Sequence, residues 1–121
     1  MSIDISVFLE VEDESGWTLV DVDPICSANR NHTLFEALSQ LNQSSLPSDV
    51  SKGSMYWFQN RSEHNHALKF LACVPLEQAA HLWWESGHLG EIEFNLESVM
   101  VSVFGVWGSN PSEFRVIVGW S

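Results

Sequence analysis

"IDISVFLEVEDESGWTLVDV", residues 3–22, is the stretch whose reading decides the fold. Ile3, Ile5, Val7, Leu9 and Val11 alternate with Asp4, Ser6, Glu10 and Glu12, with Phe8 the one interruption. Successive side chains of a strand point to opposite faces, so this period of two predicts a strand with one buried face. Asp13-Glu14-Ser15-Gly16 has turn chemistry, and Trp17-Thr18-Leu19-Val20-Asp21-Val22 reads as the returning strand of a hairpin, ended by Asp23-Pro24.

Helical spacing takes over further on. Thr33-Leu34-Phe35-Glu36 matches a capping box, and Leu34, Ala37, Leu38 and Leu41 recur at i, i+3, i+4 and i+7, so a helix is expected from there to about Asn42. "QSSLPSDVSKGS" (43–54) reads as a polar loop. "MYWF" (55–58) fits a short strand or a helical turn equally. Residues 66–73 predict a short helix with Leu68, Leu71 and Ala72 inward and Asn65 as cap. Pro75 then opens another, with Leu76, Ala79, Ala80 and Trp83 buried and Gly87 as the stop. In "FNLESVMVSVFGVWG" (94–108), Val99, Val101 and Val103 alternate as in a strand. Leu96, Val99, Met100, Val103 and Phe104 fit a helix capped by Asn95, and helix is the favoured reading. "EFRVIVGW" (113–120) is a terminal strand. The expected fold is a single α+β domain over 1–121: a small mixed sheet of the N-terminal hairpin and the C-terminal strand, packed against three or four helices.

Sixteen acids face five bases, for a formal net charge of −11. Asp4, Glu10, Glu12, Asp13, Glu14, Asp21 and Asp23 precede the first cation, Arg30. Such a surface repels nucleic acid and membrane phosphates, and steers association with basic proteins. The N-terminus lacks a basic segment followed by an apolar run, so no signal peptide is expected. Cys26 and Cys73 then read as reduced thiols of a cytoplasmic protein.

Five segments carry a resemblance: "IDISVFLEVEDESGWTLV" at the start, "NRNHTLFEALSQLNQ" (29–43), "LPSDVS" (46–51), "HNHALKFL" (64–71) and "SEFRVIVGWS" (112–121). In this order they resemble a family of small acidic proteins encoded by bacteriophages and prophages. Three places depart from its pattern. His32 stands where the family has an aromatic, and His64-Asn65-His66-Ala67 replaces a His-Ser-His-Ser run followed by tryptophan. Gly119-Trp120-Ser121 replaces an aromatic-aspartate ending. The resemblance implies a phage or prophage setting and the host-cell cytoplasm, but no reaction.

The sharpest chemical candidate is "SEHNH" (62–66). Histidines at i and i+2 point to opposite faces of an extended segment, so His64 and His66 share a metal only if a turn intervenes, with Glu63, Cys73, His81 or His88 completing the set. The competing reading makes them a polar helix entry around Asn65. Cys73, between Ala72 and Val74, reads as a buried inert thiol, and Glu91/Glu93 as surface acids. Trp83, Trp84 and Trp107 are expected in the core; if Trp84 lies opposite Trp83's stripe it is instead exposed, as a partner contact. Together these features point to a binding protein rather than an enzyme, with no cofactor. Its partner would be a basic host or defence protein, met through Glu10, Glu12, Asp13, Glu14, Asp21, Asp23 and Trp84. Two alternatives are an immunity-type inhibitor of a basic nuclease toxin and a divalent-metal enzyme using His64 and His66.

Overall fold

The computed structural model describes residues 5–22, 32–43, 45–60, 68–86 and 93–120. Ile5–Asp13 (β1) and Gly16–Val22 (β2) form the expected hairpin, with Asp13 opposite Gly16. His32–Ser39 (α1) and Lys52–Asn60 (α2) follow, then Lys69–Pro75 (β3), Leu76–Glu85 (α3), Leu96–Phe104 (α4), a short 3-10 turn at Pro111–Glu113, and Phe114–Trp120 (β4). The four strands lie in the order β2-β1-β4-β3, and every pairing is antiparallel, where a mixed sheet was expected.

Both faces of this sheet are covered. Ile5, Val7 and Leu9 of β1 join Val116 and Val118 of β4 and Ala72 and Val74 of β3 against Leu34 and Leu38 of α1, Ala79, Ala80 and Trp83 of α3, and Val99, Met100 and Val103 of α4. Phe8 and Ile117 point the other way, into a smaller cluster with Leu19, Trp57 and Phe58 under α2. That second layer explains why Phe8 interrupts the alternation: β1 is buried on both faces from Ile5 to Glu10, not on one.

Residues 69–75 correct the sequence reading, since they form a strand where a helix was expected over 66–73. The pairing of β3 with β4 shifts register between Phe70 and Ala72. A bulge of this kind breaks the period of two. It sends Leu71 and Ala72 together into the large cluster, while Phe70 and Cys73, three apart, face the small one. Those are spacings of a helix, produced here by an irregular strand. Asn65, His64 and His66 lie outside the described residues, as do Asp23-Pro24, Cys26, Gly87 and Glu91.

Other boundaries follow local chemistry. α1 starts at His32, so Thr33 sits in the first turn rather than at the cap. "MYWF" belongs to α2, which begins inside the expected 43–54 loop. Pro75, with ψ of 150°, ends β3 and caps α3, so α3 starts one residue later than Pro75 was expected to open it. Asn95 does cap α4, its Oδ1 accepting from Ser98 N–H at 3.0 Å. Gly105 ends α4 in the left-handed region, φ 68°. There Gly105 N–H donates to the Val101 carbonyl at 3.2 Å, the bond of an αL cap, and Val106 N–H to the Met100 carbonyl at 2.9 Å. That turn drives Val106 into the core and leaves Trp107 outside.

Candidate functional site

The hairpin is held from below by a polar centre that the linear sequence conceals. Glu10 on β1 stands directly opposite Arg115 on β4, and both side chains point toward the α2 face. Arg115 Nε donates to Glu10 Oε1 at 2.7 Å, and Glu10 is fully buried. Its other oxygen, Oε2, accepts from Ser51 N–H at 3.0 Å and from the Ser54 hydroxyl at 2.7 Å. Ser51 in turn caps α2, its Oγ accepting from Ser54 N–H at 3.0 Å. A carboxylate is therefore seated at the N-terminus of α2, where free N–H groups and the helix dipole favour negative charge.

Arg115 spans the interior and the surface. Its Nη1 donates to Asp49 Oδ1 at 2.9 Å and its Nη2 to the Asp49 carbonyl at 3.2 Å. The Trp17 ring lies against the guanidinium, 4.0 Å from centroid to Cζ. The hydrogen bond from Arg115 holds the Asp49 carboxyl below its ordinary 3.8. Burial alone would lower the pKa of Arg115, but its bonds to Asp49 and then Glu10 outweigh that and raise it. The segment 46–51 thus has a structural task, Asp49 binding Arg115 and Ser51 starting a helix.

This arrangement corrects one predicted contact residue. Glu10 is not on the surface, because its charge is spent inside the fold. Glu12, Asp13, Glu14 and Asp21 are all exposed, the first three at the tip of the hairpin and the last on its outer strand. Asp13 Oδ1 accepts from the Ser15 hydroxyl at 2.6 Å and from Ser15 N–H at 2.8 Å, bonds that lower its pKa and order the turn. Asp23 lies outside the described residues.

The tryptophans also sort differently from expectation. Trp83 is buried as read. Trp84 is half-buried, its ring edge-on to Phe94 at 5.5 Å. Trp107, expected in the core, is 74% exposed. The apolar run "VFGVWG" gave no hint of this, because the outward turn is made by Gly105 rather than by a polar residue.

Two grooves flank the hairpin. One, of about 800 Å³, runs between the hairpin tip and residues 49–53, and is lined by Glu12, Trp17, Asp49 and Lys52 among others. The other, of about 430 Å³, opens on the opposite face beside β2, lined by Val20, Asp21, Phe104, Val106, Trp107 and Phe114 with three further residues.

The remaining candidates carry less. His64 and His66 lie outside the described residues, and among the described residues no three His, Cys, Asp or Glu side chains gather around a metal position. His81 is exposed and stacks on Phe94 at 3.9 Å. Cys73 sits on β3, not on a helix, and is half-buried. Burial raises its thiol above the ordinary 9.0. The side chain of Gln43 pairs with the same residue's backbone, accepting from Cys73 N–H at 2.7 Å and donating to its carbonyl at 3.2 Å. In this way a glutamine amide stands in for a neighbouring strand on that outer edge of the sheet. No helix among the described residues is long and apolar enough to cross a membrane. Comparison of the chain with family models, with curated proteins and with solved structures gave no match.

Proposed function

We propose that this is an acidic binding protein of phage or prophage origin. It engages a basic host or defence macromolecule through its N-terminal hairpin and occupies a surface that the partner otherwise uses for nucleic acid. One observation carries the reading: Glu12, Asp13, Glu14 and Asp21 are all exposed on one hairpin, in a chain of net charge −11. The buried pair of Glu10 and Arg115 anchors that hairpin to the sheet, so its charges are presented on a fixed frame. Fixed like charges raise the association rate with an oppositely charged patch and lower it for the wrong partner. The phage setting rests on the sequence resemblance.

The test is capture on the immobilised protein from a bacterial lysate at low and high salt. A basic nucleic-acid-binding protein that is retained at low salt and released as salt rises supports the reading. Retention insensitive to salt, or of proteins without a basic surface, removes it.

A further inference from the structure

Trp107 and Asp21 line one groove, and they are the two kinds of group that Arg115 uses inside the molecule. Arg115 rests on the indole of Trp17 while binding carboxylates. In the outer groove the indole of Trp107 is 74% exposed, Val20 beside it is 51% exposed, and Asp21 is the one titratable group among the described lining residues. Phe104, Val106 and Phe114 give the groove an apolar wall. The Asp21 carboxylate is oriented by Val22 N–H, which donates to its Oδ1 at 2.8 Å, and Oδ2 would meet the ligand.

From this we infer that the groove receives an arginine side chain of the basic partner. This rests on the function proposed above and identifies its docking point. The arginine's methylene stem would lie along Val106 and Phe114, its planar guanidinium on Trp107, and its N–H groups on Asp21. Arginine fits better than lysine, because a delocalised, weakly hydrated plane stacks on an indole, whereas an ammonium remains a hydrated point charge. A second copy of this chain is a poor occupant, since each copy brings eleven negative charges. An exposed tryptophan in a groove with an apolar wall and one carboxylate also has the composition of an interface hot spot.

The experiment compares nona-arginine with nona-lysine, two probes of equal charge, in titrations of the wild type, Trp107→Ala, Asp21→Asn and Glu12→Lys/Glu14→Lys. The wild type is expected to bind nona-arginine about two- to fivefold more tightly than nona-lysine, the scale of an exposed cation–π contact. Trp107→Ala should erase that preference while retaining salt-dependent binding, and Asp21→Asn should reduce it. Because Trp107 is exposed, its replacement leaves the fold intact, which a thermal melt checks. Equal affinity for the two peptides in the wild type, or a preference that survives Trp107→Ala, overturns the docking point. If binding is then still salt-dependent and lost in the charge-reversed variant, the proposed function stands without it. If neither peptide binds at low salt, both fall together.

Discussion

Glu10 and Arg115, separated by 105 positions in sequence, face each other across neighbouring strands with 2.7 Å between Oε1 and Nε. Through this contact the first strand, the last strand and the start of α2 become one unit. A buried pair of this kind contributes little net stability against an apolar replacement of both partners, but removing one partner leaves an uncompensated charge.

Glu10→Ala should therefore cost about 3 kcal/mol, leaving Arg115 Nε and the donors of Ser51 and Ser54 without their acceptor while Asp49 still holds the Nη groups. Urea denaturation measures it. A loss below about 1 kcal/mol, the scale of an exposed ion pair, would show that the contact is solvated.

The Asp49 carboxyl, held below its ordinary 3.8 by Arg115, gives a signed pH dependence. A depressed carboxyl contributes stability above its unfolded pKa, and that contribution is lost as pH falls through the folded value. Asp49→Asn should be less stable than the wild type at neutral pH, and the gap should close as the pH drops below 3.8. Melting temperatures of the two proteins between neutral and acid pH measure this gap. A gap that widens toward acid pH contradicts the assignment.

Gly53 lies where α2 crosses β2. A Cβ there would stand 2.8 Å from Leu19 Cβ and 3.0 Å from its Cδ2. Alanine gains up to about 1 kcal/mol over glycine in a helix interior, less near its start. The overlap costs about 1–3 kcal/mol and wins, because a Cβ cannot rotate away. Gly53→Ala should destabilise, and in a Leu19→Gly background, which removes every atom of the overlap, it should become neutral or stabilising. The same penalty in both backgrounds would place the clash elsewhere.

Burial raises the Cys73 thiol above 9.0, so little reactive thiolate exists near neutral pH. In a Cys26→Ser protein, Cys73 should react with iodoacetamide at pH 8 more slowly when folded than in urea, because burial leaves less of it as thiolate. The raised value also means that its contribution to stability holds below 9.0 and fades as pH rises through the folded pKa. Equal labelling rates in the two states would contradict this.

Where period and local chemistry agree the element was readable, and α2, beginning inside a polar stretch, was not. The hairpin, the Asn95 cap, the Leu76–Trp83 stripe and the last strand all follow from period and local chemistry. β3 did not, because its bulge imitates helical spacing. Glu10 reads as one more polar residue of an alternating strand, and only its pairing with Arg115 reveals that this position is interior. Trp107 misled in the opposite sense, an aromatic in an apolar run carried outward by a helix-ending turn. Neither can be inferred from spacing, since both depend on what the chain brings alongside.

The central claim concerns the charges that remain outside: Glu12, Asp13, Glu14 and Asp21. It is tested most directly by the affinity of the captured partner for the wild type and for Glu12→Lys/Glu14→Lys, measured across a salt series. The account predicts a wild-type affinity that falls steeply with salt, and loss of binding on charge reversal with the melting temperature unchanged. A complex that holds its affinity in high salt, or that forms equally well with the reversed hairpin, contradicts it.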